Sequence, residues 1–173
     1  VVMVAWKRTF WFAWMAQVMA IFGFSFVLPF MPLYIRELGV VDEAAVRQWA
    51  GIASSATGFS LAAFAPLWGV LADRYGRKAM VIRAMFGAAV VLSLMGLAQT
   101  PLHLTILRFA QGALTGTTTA TLVLVAAVAP REQSGYALGM MQGAVFFGNS
   151  LGPLVGGVMA DAVGYRYCFF IAG

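Results

Sequence analysis

The chain alternates long uncharged stretches with short charged interruptions. Residues 10–35, 49–72 and 134–160 hold no charged side chain, while residues 79–98 and 102–128 hold one arginine each, Arg83 and Arg108. At a rise of about 1.5 Å per residue, each stretch is long enough to cross a hydrocarbon layer of about 30 Å. The pattern predicts five membrane-spanning helices in chain order. A sixth begins at Tyr167 and occupies residues 167–173, too few to cross.

The interruptions differ in kind. Lys7 and Arg8 precede the first span, with Trp11 and Trp14 placed as interfacial anchors. Pro29 and Pro32 fall near its far end, where a distorted helix is tolerated. Residues 36–47 are expected to be a loop carrying Glu37, Asp42 and Glu43. The second span has Ser54, Ser55, Thr57 and Ser60 in its first half, small hydroxyl residues that let helices approach and hydrogen-bond. Gln99-Thr100-Pro101, residues 129–132 and residues 161–166 are short turns.

Composition agrees with the pattern. The chain is 62% hydrophobic and only 10% charged, with a mean hydropathy of +0.87; a soluble domain is typically about 25% charged. The net charge of +5 does not mark a nucleic-acid binder, because the basic residues sit at helix ends and form no continuous face. Cys168 and His103 are single, which excludes a disulfide within the chain and a His/Cys metal cluster. The first apolar stretch is too long for a signal peptide and is followed by others. No enzyme chemistry, cofactor or metal is expected. Lys7, Arg8, Arg74, Arg77, Lys78, Arg83 and Arg131 fall on one side of the predicted topology, and Arg36, Arg47 and Arg166 on the other. The positive-inside rule then places the amino terminus in the cytoplasm of a cell-membrane protein.

Three motifs stand out. The first is Gly69-Val70-Leu71-Ala72-Asp73-Arg74-Tyr75-Gly76-Arg77-Lys78, read as a tight basic turn between spans two and three. Its glycines permit close approach or positive φ, and Asp73 is able to accept bonds from a helix amino end or pair with an arginine. It has an echo in Gly157-Val158-Met159-Ala160-Asp161-Ala162-Val163-Gly164, three spans later and on the opposite side. Two three-helix repeats of inverted topology would produce that arrangement. The second is Arg108, several residues inside span four, where a guanidinium costs at least about 2.5 kcal/mol. It either faces protein or water, or snorkels to the interface. The third is a glycine face on span five, Gly148, Gly152 and Gly156, with Pro153 and Gly157 beside it. Its least consequence is close packing, with a kink at Pro153.

Residues 69–78 resemble the signature loop between helices two and three of the major facilitator superfamily. Leu104-x-x-x-Arg108-x-x-Gln111-Gly112 resembles the family's fourth-helix motif, and Gly148-x-x-x-Gly152-Pro153-x-x-Gly156-Gly157 is similar to the fifth-helix motif of its drug:proton antiporter branch. The end of span one, Pro29-Phe30-Met31-Pro32-Leu33-Tyr34, resembles that branch too. The resemblance implies an all-α polytopic membrane protein. The chain would be the amino-terminal six-helix bundle of a major facilitator fold, cut within helix six and lacking its carboxy-terminal half. It implies export of small lipophilic molecules by proton antiport and alternating access. Asp73, with Gly69, Arg74, Gly76, Arg77 and Lys78, would form a conformational latch, with Glu132 paired to Arg77, and Arg108 would serve proton coupling. Gln17, Phe22, Phe26, Gln111, Thr115 and Asn149, on the spans the family arranges around its cavity, are the candidate substrate residues.

One departure matters: spans one, four and five carry no acid, although many proton-coupled exporters have one there. The proton carrier is then Asp73, a carboxylate in the other half, or absent. A uniporter or symporter of the same fold for a metabolite or sugar would share the turn, and a half-bundle without transport activity is a further class.

Overall fold

The computed structural model describes residues 2–173, with side chains from Trp6 onward. It is built of helices, and no strand occurs among the described residues. They are α1 (Val2–Val27), α2 (Met31–Glu37), α3 (Glu43–Tyr75), α4 (Arg77–Met95), α5 (Pro101–Leu114), α6 (Thr117–Val128), α7 (Ser134–Val163) and α8 (Tyr165–Ala172), with a short 3₁₀ turn at Arg131–Gln133. Five segments are long and apolar enough to cross a membrane: Trp6–Val27, Glu43–Tyr75, Arg77–Met95, Pro101–Val128 and Arg131–Val163.

Two spans are broken. Span one is interrupted between α1 and α2 at Pro29, which has no N–H to donate; the chain bridges the gap with Leu28 N–H to Ser25 O (3.3 Å) and Met31 N–H to Leu28 O (3.4 Å). Span four, expected as one helix over 102–128, is interrupted between α5 and α6. There Gly116 adopts φ 97°, a left-handed conformation that glycine reaches without a Cβ penalty.

The connections are shorter than expected. Of the predicted loop 36–47, only residues 38–42 lie outside helices. The Asp42 side chain caps α3 by accepting from Ala45 N–H (2.8 Å), which starts the second span six residues before Trp49. The basic turn shrinks most: residues 69–75 remain helical and Gly76 alone links α3 to α4. The Gly157–Gly164 stretch likewise stays helical until Gly164 alone links α7 to α8.

These two linkers share one backbone geometry. Gly76 has φ 91° and ψ 141°, and Gly164 has φ 85° and ψ 154°. Each N–H closes the preceding helix at 3.0 Å, on Ala72 O and Ala160 O respectively. Each carbonyl opens the next helix, accepting from Met80 N–H (3.4 Å) and Cys168 N–H (3.3 Å). They sit at opposite ends of the bundle: Arg77 reaches Val123 in the middle of α6, whereas Tyr165 stacks on Phe30 at the break of span one. The two most extensive helix interfaces are α1 with α7 and α3 with α5. In each, the first span of one repeat packs on the second span of the other, as inversion requires.

A core cluster closes each end. Trp6, Phe10, Ala13, Val125, Ala137 and Met141 form one, and the larger is built around Phe30, Tyr34, Met95, Leu104 and Phe169. In the second, Tyr34 Oη lies 2.9 Å from Met95 O and serves the carbonyl end of α4. Many large apolar side chains, including Phe12, Phe59, Phe86 and Phe146, are exposed, as suits helices facing lipid.

Candidate functional site

Span four carries the site. α5 is started by Thr100, whose Oγ1 accepts from His103 N–H (3.2 Å), and by Pro101 in the first turn. Leu104, Arg108 and Gln111 then fall on one buried face, the i, i+4, i+7 spacing of a helix. That face is held tightly against α3. Thr57 Oγ1 lies 3.0 Å from Arg108 O and Ser60 Oγ 2.7 Å from Phe109 O. Gly112 permits this contact: a Cβ there would sit 2.2 Å from Thr57 O.

Arg108 is 2% exposed and does not snorkel. Its Nη1 donates to Gln111 Oε1 (2.9 Å) and its Nη2 lies 3.9 Å from Met31 Sδ. The guanidinium carbon is 5.7 Å from the centre of the Phe24 ring, and Nε has no partner. Among the described residues no carboxylate pairs with it. It borders a cavity of about 320 Å³ between α1, α3, α4, α5 and α6, at the level of the span-four break. Gln111 and Thr115 also line this cavity. The other four candidates do not. Gln17 is buried beside it, its amide donating to Thr118 Oγ1 (2.9 Å) and its carbonyl accepting from Thr121 Oγ1. Phe22 meets Phe26 in a tilted ring contact, and Phe26 packs under Gly152 and Gly156. Asn149 is exposed on α7. Phe24, Ser54, Thr57 and the run Thr117–Thr119 line the cavity and are absent from the sequence-derived set. The run Gly116-Thr117-Thr118-Thr119 was the available signal: a helix breaker followed by hydroxyls in mid-span.

A second cavity, of about 270 Å³, lies between α3, α4 and α6 on the other side of the same break, and Thr115 and Gly116 border both cavities. Arg83 stacks on the Trp68 ring at 3.5 Å and donates to Thr115 O (3.1 Å). Trp68 Nε1 donates to Ala113 O (2.6 Å). These two side chains satisfy carbonyls that the break leaves without an intrahelical partner.

Asp73 and Arg77 line this second cavity toward the basic end. Asp73, Arg74 and Lys78 are exposed. Arg77 does not pair with Glu132, which is exposed; its Nη1 donates to Val123 O (3.2 Å). A backbone carbonyl in the middle of α6 takes the place the acid was expected to fill. Gly69 also departs from expectation, since no atom lies within 4 Å of where its Cβ would be. On α7, Gly148, Gly152 and Gly156 face α1 so closely that a Cβ would come within 2.8, 2.8 and 2.1 Å of its atoms, whereas Gly157 has open space.

Two inverted three-helix repeats, with one broken span in each and a largely apolar cavity between them, define an inverted-repeat membrane bundle. A sequence profile of the Major Facilitator Superfamily matches residues 13–173, and the chain belongs to that family. It is similar to the multidrug resistance protein MdtG of Proteus mirabilis, 41% identical over 167 residues, covering 96% of this chain and 42% of the relative. The MdtG proteins of Citrobacter koseri and Escherichia coli are each 43% identical over 166 residues, covering 96% of this chain and 41% of theirs. The chain thus spans about two fifths of the length of these relatives.

Proposed function

We propose that this bundle is the amino-terminal half of a multidrug-type exporter that works by alternating access and proton antiport, its amino terminus in the cytoplasm. The observation that carries this reading is the pair of inverted repeats whose broken span four crosses a polar, otherwise apolar-walled cavity. The name of the MdtG relatives, multidrug resistance proteins, and the glycine face of α7 support export. A second bundle covers the cavity and rocks against this one. Asp73 is exposed and makes no hydrogen bond or ion pair with the described residues, so it is free to latch a helix of that bundle when the basic end closes. Every carboxylate of the chain is exposed. The proton carrier is accordingly assigned to the second bundle.

The test is efflux from cells expressing the full reading frame. Lipophilic dye should be expelled, and a protonophore should stop expulsion. Asp73→Asn should insert normally and slow export about tenfold or more, the loss expected when one charge-assisted contact of about 1.5–3 kcal/mol is removed. Export insensitive to the protonophore would refute antiport, and uptake without export would favour a symporter of the same fold.

A further inference from the structure

The central cavity is built for negative charge. Its only charged side chain is Arg108, and none of its other lining groups is acidic. Arg108 is buried to 2% exposure, its Nε has no partner, and every carboxylate of the chain is exposed elsewhere. A buried, unpaired cation is an expensive arrangement that an anion would relieve. A second feature points the same way. Thr117, Thr118 and Thr119 line the cavity, which sets the amino end of α6 in its wall. The residue capping that helix is Gly116, which offers no side-chain acceptor to the first-turn N–H groups. A helix amino end carries partial positive charge and binds anions through those N–H groups. Ser54, Thr57, Gln111 and Thr115 add neutral polar groups, and the rest of the wall is apolar, with Ile21, Phe24, Leu28, Leu61 and Leu92 its large side chains.

The geometry points to a binding site for an amphiphilic monoanion, a single carboxylate held between Arg108 and the amino end of α6 with an apolar body against Phe24 and Leu92. A cavity of about 320 Å³ is at the small end of ligand sites and suits a body of one or two rings. Its role in transport rests on the exporter reading, and it reverses the preference expected of a cavity lined by acids.

The experiment uses three dansyl probes of matched size on the purified full-length protein: dansylglycine (anion), dansylglycinamide (neutral) and a dansyl trimethylammonium (cation). Binding is read by fluorescence titration, and transport by release from proteoliposomes. A charge-assisted contact predicts that the anion binds about tenfold to a hundredfold more tightly than the amide, with the cation weakest. Arg108→Gln should bring the anion-to-amide ratio near one, while Arg108→Lys should keep part of it, because charge remains and the planar fork is lost. Equal binding of anion and amide by the wild-type protein would overturn the site, whether or not the variants fold. An unchanged ratio in Arg108→Gln would overturn it too. Preferential binding without release of any probe would uphold the site and refute the exporter reading instead.

Discussion

Gly156 and Gly157 are adjacent, chemically identical and part of the same motif, yet they should respond to alanine in opposite directions. At Gly156 an added Cβ would lie 2.1 Å from Phe26 O and 2.9 Å from Phe26 C. Ordinary contact begins near 3.4 Å, so α1 and α7 would have to part by about 1 Å. Both groups in the clash are rigid, and overpacking of this sort costs about 1–3 kcal/mol or more. Parting the helices also loosens contacts along the rest of the seam, where a gap of 0.5–1 Å forfeits a quarter to a half of the dispersion attraction. The opposing gain is the helix propensity of alanine over glycine, about 1 kcal/mol. The net for Gly156→Ala is about 1–2 kcal/mol of destabilisation. At Gly157 only the propensity gain operates, because no atom lies within 4 Å of its Cβ position, and Gly157→Ala should be neutral or stabilising by up to about 1 kcal/mol. Thermal unfolding of the detergent-solubilised protein, followed by tryptophan fluorescence, should separate the two variants. At about 2–4 °C per kcal/mol, Gly156→Ala should melt several degrees below wild type and Gly157→Ala at or above it. Equal losses would refute the packing account and show that both glycines are needed for backbone freedom.

Other substitutions test other contacts. Arg77→Ala and Glu132→Ala should act additively within about 0.5 kcal/mol in a double-mutant cycle on stability, because Arg77 bonds Val123 O and not the acid; coupling well above that would restore the ion pair. Trp68→Phe keeps an aromatic face for Arg83 but loses the bond to Ala113 O, and Trp68→Ala loses both. Stability should fall in the order wild type, Phe, Ala, with the cation–π part of the second step about 0.5–2 kcal/mol, and an inverted order would show that the stack contributes nothing. Gln17→Leu removes both bonds to Thr118 and Thr121 and should cost about 1–2 kcal/mol of stability while leaving the anion-to-amide preference unchanged; a changed preference would place Gln17 at the ligand.

What the sequence disclosed followed the strength of its signals. Uncharged stretches marked the spans because lipid leaves a helix few alternatives. The echo of residues 69–76 at 157–164 disclosed the repeat because its glycines occupy the one position, Gly76 or Gly164, where the backbone needs positive φ. Helix ends were misjudged where polar residues read as loop: Asp42 and Glu43 begin α3, and Asp42 caps it. The break at Gly116 lies within an uncharged stretch, where charge marks no boundary and only the run Gly116-Thr117-Thr118-Thr119 signals it. The Arg77–Glu132 pairing failed for a different reason. Charge patterns in sequence show which groups share an end of the bundle, but not that a nearer backbone carbonyl will take the donor. The cavity walls were the least legible, since burial against α7 and lining a cavity require the same apolar residues on α1, and only packing separates Phe26 from Phe24.

The break in span four joins these observations. An unbroken helix over residues 101–128 would satisfy its own carbonyls and amides at mid-membrane and place no helix terminus in the cavity wall. Breaking it at Thr115–Gly116 creates a carbonyl end and an amide end in the bundle interior, and the two are treated differently. The carbonyl end is satisfied by Trp68 and Arg83 from the second cavity. The amide end receives no side-chain cap and lines the first cavity, as Arg108 does. In a hydrocarbon setting an unsatisfied backbone group costs several kcal/mol. The two ends therefore differ: one is closed by side chains, and the other is open to water or, on the proposal above, to a ligand. It also makes α5 and α6 separately movable, with Arg83 and Trp68 as the contacts a rocking motion would have to keep or break.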